Sequence, residues 1–472
     1  MVGGVGGLYD SDMSRYSKLF VAGLIAALSS LPLTACTAQA PETVTVEAES
    51  PQPQELAQPE EPQKNSNNTI DWGPRRGIWR GKIELPGGKE LSFNFVIEFT
   101  RDAEKQPIWE IWLRNGSESL PAMIENQNPL NIITFHGTDA RIEATVNDSN
   151  TGLGGEYIYT RKNSEGEPVE YRLPFRAHCS DMRRFAWLEA GEEPVDAGPL
   201  ADRWVVSFDE RTGPAVAEFV TMPDGINVVG TVMTPTGDDG QLAGSFEQGR
   251  LRLSRFTGGS GILYDGTLEP DGTLIGTYRS LAHHAEGFTA SPDETAALPD
   301  LFELTKWNDG VELSDLSFKN VEGQEVNLSE IAPAGSARLV YVMGTWCHNC
   351  SDATRYLTEL HERYADEGLT IVGIAFEASD EFQEQAEAVK KYSKVKDVPF
   401  QILVAGQRNK SDATETLGAL DKVAAYPTVV FVSPDNEVIG VHQGFVGPAA
   451  PSRHAQLRSE FEERIESMLV GE

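Results

Sequence analysis

The chain has 472 residues, too many for one ordinary core, so two or three domains joined by linkers are expected. Apolar residues make up 40% of it, which places most of the chain among globular, soluble proteins. The formal charge of −33 opposes approach to nucleic acid or to an anionic membrane surface, so neither is expected as a partner.

The first feature in chain order is an apolar run from Leu19 to Leu31, preceded by Arg15 and Lys18. It is shorter than the roughly 20 residues a membrane-spanning helix needs, and the positive flank ahead of it is the arrangement of a signal peptide. An internal apolar helix is the alternative. Leu33-Thr34-Ala35-Cys36 closes the run and resembles a lipobox, which implies lipidation of Cys36 as the mature N-terminus. Residues 1–36 are thus expected to be a lipoprotein signal peptide, with Met13 as a possible start. Thr37 stands where Gram-negative lipoproteins retained at the inner membrane carry Asp, and by that resemblance passage to the outer membrane is allowed. Residues 37–70 are rich in Pro, Glu, Gln, Ser and Thr and read as an extended, disordered tether.

From 71 to 298 the patterning is that of β structure. Leu91, Phe93, Phe95, Ile97 and Phe99 alternate with Ser92, Asn94, Val96, Glu98 and Thr100, the period of a half-buried strand. Further short strands are predicted at Trp109–Leu113, Ile132–Phe135, Ile142–Val146 and Tyr157–Thr160, then at Trp204–Phe208, Val216–Phe219, Ile226–Met233, Leu251–Phe256, Ile262–Leu268 and Leu274–Tyr278. Pro223-Asp224-Gly225 and Pro270-Asp271-Gly272 mark hairpins. An all-β barrel or sandwich is expected, as two modules at 71–195 and 196–298. Gly77-Ile78-Trp79-Arg80-Gly81 and Asp202-Arg203-Trp204 open them, each tryptophan being read as a buried plug. His283, His284 and Glu286 read as loop residues rather than a metal site, because adjacent histidines point apart. Cys179 reads as a buried unreactive cysteine, with a resolving thiol as the alternative.

From Leu301 to the end, strands and helices alternate. A hairpin turns at Glu322-Gly323-Gln324, and strands follow at Arg338–Met343, Leu369–Phe376 and Phe400–Val404. Helices are predicted at Asp352–Tyr364, Asp380–Lys394 and Asp412–Leu420. A closing hairpin, Thr428–Ser433 with Val438–His442, and a helix over Ser452–Leu469 complete an α/β domain at 301–472.

The chemistry-bearing segment is Trp346-Cys347-His348-Asn349-Cys350. A cysteine delivered by a strand to the first turn of a helix meets unpaired amides and the positive end of the helix dipole, which favour its thiolate. The second cysteine, one turn on, can close a reversible disulfide with little backbone motion. A protonated or hydrogen-bonding His348 beside the sulfur would add to that effect and make the pair more oxidising. Cys347 is therefore expected to attack and Cys350 to resolve, with no cofactor beyond the redox-active disulfide Cys347-Cys350. A structural zinc site would need a second cysteine pair, so no metal is expected. Tyr426-Pro427 precedes an apolar strand; resemblance to thioredoxin-like proteins, in which a cis proline stands at this point, implies that Pro427 faces the cysteines and presents backbone to a substrate. Trp346, His348, Tyr426 and Pro427 are the candidate substrate-binding residues.

Gly344–Cys350, Gly373-Ile374-Ala375-Phe376-Glu377, Tyr426-Pro427-Thr428 and Gly444-Phe445-Val446-Gly447-Pro448 occur in the order found in the TlpA/ResA-like family, which the region from Asp315 to Glu472 resembles. The stretch Gly230–Asp238 looks like the β-rich segment that precedes the catalytic domain in some of its members. The resemblance implies a thioredoxin fold and a membrane-tethered, extracytoplasmic thiol-disulfide oxidoreductase. Its partners would be oxidised exported proteins such as apocytochrome c and a membrane thiol reductase as electron donor, on the periplasmic side of the inner or outer membrane. Members often carry a glutamate three residues after the second cysteine; here Ala353 stands there. Glu377, at the end of the neighbouring strand, is the expected replacement as proton carrier, with Asp352 next. Two other functions are weighed. A thiol peroxidase would need Pro, Thr and Cys where this chain has Val340, Gly344 and Cys347; in the other reading the β-rich half is a ligand-binding envelope module that carries the main function.

Overall fold

The computed structural model describes residues 74–101, 107–127, 129–162, 167–179, 183–185 and 198–470. The signal-peptide, lipobox and tether readings, Cys36 included, lie outside them.

The first unit is a closed antiparallel barrel of eight strands: β1 (Gly77–Leu85), β2 (Lys89–Arg101), β3 (Pro107–Asn115), β4 (Glu118–Asn126), β5 (Leu130–Phe135), β6 (Arg141–Val146), β7 (Gly152–Lys162) and β8 (Pro168–Cys179). Pairing of β1 with β8, Ile83 opposite Phe175, closes it and removes the free edges. Large side chains fill the interior. Trp79 is fully buried, stacks on Phe95 at 6.0 Å and donates its indole N–H to the Arg75 carbonyl at 2.8 Å. Gly81 leaves room for Phe93, because a Cβ there would lie 2.6 Å from that ring.

The second unit contains β9 (Arg203–Phe208), β10 (Ala215–Thr221), β11 (Asn227–Thr234), β12 (Gly237–Asp238), β13 (Leu242–Glu247), β14 (Arg250–Phe256), β15 (Gly261–Leu268), β16 (Leu274–Ser280) and β17 (His284–Pro292). They form one antiparallel sheet in the order β10-β9-β17-β16-β15-β14-β13-β11-β12. β10 also pairs with β11, which brings the two ends of the sheet together. Trp204 is buried inside and donates to the Ala201 carbonyl at 2.9 Å.

The two β units share a core. Phe256, at the end of β14, is fully buried against Phe93, Phe135 and Tyr157 of the barrel, with ring centroids 4.2, 5.6 and 5.4 Å away. The next turn follows it in: Tyr157 donates its hydroxyl to the Gly258 carbonyl at 2.8 Å, and Gly258, at φ 91°, abuts Phe135 so closely that no Cβ fits. Ser92 and Asn94 are buried for the same reason. The alternation in β2 predicts a polar outer face, but the neighbouring unit covers that face where the strand begins.

The third unit has seven strands: β18 (Ser317–Lys319), β19 (Glu325–Asn327), β20 (Ala337–Met343), β21 (Leu369–Glu377), β22 (Gln401–Gln407), β23 (Thr428–Val432) and β24 (Val438–Gln443), in the order β19-β18-β22-β21-β20-β23-β24. β20, β21 and β22 run parallel; β23 and β24 are antiparallel. Every residue of β20 is buried, which accounts for its nearly continuous apolar run. Helices α1 (Leu328–Ile331), α2 (His348–Tyr364), α3 (Phe382–Lys396), α4 (Lys410–Leu417) and α5 (Pro451–Val470) complete the unit.

Several boundaries differ from the sequence reading. α2 begins at His348, not Asp352, because Cys347 caps it. α4 ends at Leu417 rather than Leu420, since Gly418 takes the left-handed conformation that terminates a helix. His284 and Glu286 lie in β17, not in a loop: buried Glu286 accepts from Arg211 Nε and from the Glu210 and Arg211 amides, and His284 sits 3.1 Å from it. β4 and β8 escape prediction because prolines and outward charges interrupt their alternation.

Candidate active site

β20 delivers the chain to Gly344 and Thr345, and α2 begins three residues later. The Thr345 amide and hydroxyl both donate to the Glu377 carboxylate at the end of β21, at 2.9 and 2.6 Å. Parallel pairing of β20 with β21 places that carboxylate beside the loop into Cys347. Trp346 is exposed at the rim; its indole N–H donates to the Phe376 carbonyl at 2.9 Å and its ring meets Tyr426 edge-on at 5.4 Å.

Cys347 is the N-cap of α2. Its backbone is extended, and its sulfur accepts the Cys350 amide at 3.2 Å, the bond a capping side-chain oxygen makes elsewhere. The sulfur also lies 3.3 Å from the Tyr426 carbonyl, and the Tyr426-Pro427 peptide bond is cis. Cys347 is 8% exposed and Cys350 not at all, so only Cys347 offers an edge to a partner. Burial pushes the Cys350 thiol well up, and the hydrogen bond and charge of Cys347 push the same way. Both are free thiols, so neither is bonded to Cys179, which lies on β8 of the barrel.

Sequence reasoning missed a cluster beneath Cys350. The Tyr341 hydroxyl donates to the Cys350 carbonyl at 2.7 Å and lies 3.0 Å from Thr354 Oγ1, which also accepts from Tyr392 at 2.8 Å. A tyrosine in the otherwise apolar stretch 339–343 of β20 was the available signal, since a buried phenol needs a partner.

His348 differs from its expected role. Its Nε2 lies 2.7 Å from the Asp238 carbonyl oxygen, an acceptor only, so Nε2 carries the proton and donates. Burial and the nearby Arg255 guanidinium hold its pKa down at about 4, so the ring is neutral. It provides no cation beside Cys347. Its partner Asp238 belongs to β12, in the second β unit.

Glu377 is buried, and loss of hydration raises its pKa against the opposing Thr345 bonds and Arg408. Among the described residues no hydrogen bond joins it to either sulfur; its hydrogen bonds come from Thr345. Asp352 is also raised by burial, and it pairs with Arg355 at 2.9 Å. Asp238 is pushed up to about 7, by burial first and then by the charge of Asp352. Among the described residues no group of three or more His, Cys, Asp and Glu side chains is placed to hold a metal ion.

Residues 310–441 match the AhpC/TSA family. The C-terminal domain is thioredoxin-like. Thiol-disulfide oxidoreductase ResA of Bacillus cereus (strain ZK / E33L) is 24% identical to the thioredoxin-like domain over 130 residues, which are 28% of this chain and 66% of the relative. ResA of Bacillus thuringiensis subsp. konkukian (strain 97-27) is 25% identical over the same shares. The chain thus spans just under two thirds of these relatives' length. A putative thiol:disulfide interchange protein DsbE from Chlorobium tepidum aligns with a TM-score of 0.27 and 18% identity over 35% of this chain and 99% of that one.

Proposed function

We propose that the protein is a membrane-tethered, extracytoplasmic thiol-disulfide oxidoreductase that exchanges disulfides with exported proteins through Cys347 and Cys350. The observation that carries this reading is the capping sulfur of Cys347, held at a helix N-terminus and beside the Tyr426 carbonyl, with a second thiol buried one turn on. Relatives of the thioredoxin-like domain being thiol-disulfide oxidoreductases supports it.

The Cys347 thiolate attacks a substrate disulfide, forming a mixed disulfide and releasing one substrate sulfur, which takes up a proton. Cys350 then gives up its proton, with Glu377 as acceptor through the Thr345 bonds or ordered water. The new thiolate attacks Cys347 Sγ and the second substrate sulfur leaves. Two electrons pass to the substrate, and Cys347-Cys350 becomes a disulfide. A membrane thiol reductase restores the dithiol. Trp346, Tyr426 and Pro427 frame the substrate strand; oxidised exported proteins, apocytochrome c among them, are the substrates, and acylated Cys36 anchors the chain.

The peroxidase reading meets an obstacle at Gly344. A Cβ there would lie 2.4 Å from Trp346 Nε1 and 2.8 Å from the Phe376 carbonyl, so the threonine that positions peroxide has no room.

Trapping tests the assignment. Cys350→Ala in cells is expected to accumulate mixed disulfides through Cys347, with exported proteins as partners, and Cys347→Ser to accumulate none. The reverse pattern would overturn the roles, and no adduct with either would overturn the function.

A further inference from the structure

The segment Pro235–Asp238, the turn after β11 together with β12, lies across the N-terminus of α2 and the loop after β24. His348 Nε2 donates to the Asp238 carbonyl at 2.7 Å, Gln443 Nε2 donates to the Pro235 carbonyl at 3.1 Å, and the Gly447 amide donates to the Asp238 carboxylate. Gly237 has φ 138°, and a Cβ on it would sit 1.9 Å from Asn349 Nδ2. Both central residues of the Cys347–Cys350 motif therefore touch a segment outside the thioredoxin-like domain. A Cβ on Gly444 would sit 2.8 Å from the Pro235 carbonyl, so the fit is close from that side as well.

We infer that the turn Pro235–Asp238 is a positioning element of the redox pair, holding His348 as a neutral donor and withholding from Cys347 the cation that a free histidine would supply. This rests on the proposed dithiol chemistry. The groups facing the imidazole from the packed elements are the Asp238 carbonyl, Arg255 of β14 and Glu118 of β4, which pair with each other at 2.7 Å; the Asp352 charge acts on the same Asp238. Arg255 opposes protonation of His348, and with the imidazole N–H already committed to a carbonyl, the docked ring stays neutral. Released into water, it would titrate near its ordinary value and favour the Cys347 thiolate. A more stable thiolate stabilises the dithiol form, so release makes the pair more oxidising and docking keeps it more reducing.

The test uses the full-length chain with Gly237→Ala, which drives a methyl into Asn349, and with Gln443→Ala, which loosens the turn more gently should the first variant not fold. The His348 imidazole is followed by NMR across pH, and alkylation of Cys347 by iodoacetamide is timed in parallel. In the wild type His348 is expected to remain an Nε2–H tautomer down to about pH 5, whereas in a displaced turn it titrates near about 6.5. Alkylation near about pH 6 is expected to rise roughly three- to tenfold on displacement, and the glutathione equilibrium to move towards the dithiol. In a His348→Ala background Gly237→Ala should add nothing. A wild-type His348 that titrates normally would overturn the inference. So would folded variants that all keep the wild-type profiles, or an alkylation gain that persists without His348, which would mean the turn only screens the sulfur. A wild type that never forms the Cys347-Cys350 disulfide would defeat the proposed function instead, leaving the tautomer result to stand by itself.

Discussion

Replacing Glu377 with Gln separates proton handling from architecture. The carboxylate accepts from the Thr345 amide at 2.9 Å and from the Thr345 hydroxyl at 2.6 Å. A glutamine keeps both contacts, because its carbonyl takes the amide while its NH2 can donate to the rotated hydroxyl. What is lost is the charge-assisted part of two hydrogen bonds, about 1 kcal/mol each, and what is gained is relief from burying a charge, of similar size. Net stability near neutral pH should therefore shift by no more than about 1 kcal/mol. The pH dependence is more telling. The folded-state pKa is raised, so the native state holds a proton that the unfolded chain has released, and the wild type loses stability as pH rises from the ordinary glutamate value through the raised one. The Gln variant should lack this decline. For catalysis, positioned proton transfer is worth roughly 100-fold or more, and water can replace part of it, so a fall of about tenfold is expected in the step where Cys350 resolves the mixed disulfide. Stopped-flow single turnovers on a mixed disulfide, repeated across pH, measure that step. If the pH-rate profile of the variant overlays the wild type, Glu377 only braces Thr345, and the proton leaves by another route.

Asp238→Asn probes the junction between the β units and the thioredoxin-like domain. With a folded-state pKa of about 7, wild-type stability should decline between about pH 4 and pH 7, and the Asn variant should flatten part of that slope. Because an Asn has one acceptor oxygen where the carboxylate accepts from both the Gly240 and the Gly447 amide, one of these bonds is lost, at about 1–3 kcal/mol, which offsets much of the relief from burying a charge. The variant should lie within about 2 kcal/mol of the wild type above neutrality, and urea melts at several pH values read the slope; equal slopes would refute the burial argument. Phe256→Ala removes the ring that the second β unit inserts into the barrel, and should cost about 3–5 kcal/mol and separate one cooperative melt into two. A single unshifted melt would show that the shared core contributes little.

What could be read in the sequence is what short stretches determine. The period-two pattern of Leu91–Ile97, the apolar run of β20 and the turn signals report elements because side-chain direction repeats every two residues or every helical turn. Cys347–Cys350 and Tyr426-Pro427 are similarly local, and their spacing already points to dithiol chemistry. The start of α2 is legible too, in the cysteine expected at the first turn of a helix, although the apolar pattern by itself puts the boundary at Asp352. Tertiary structure alone decided which surfaces meet. The barrel closes between strands nearly a hundred residues apart, Phe256 enters a core formed by residues 93–157, and Gly237 yields its space to Asn349 more than a hundred residues on. Such contacts depend on close packing between segments that no single window contains. His348 shows the consequence most directly: by local logic an imidazole beside a helix-capping thiol is a source of positive charge, but a carbonyl from another domain takes its proton-bearing nitrogen and burial keeps it neutral.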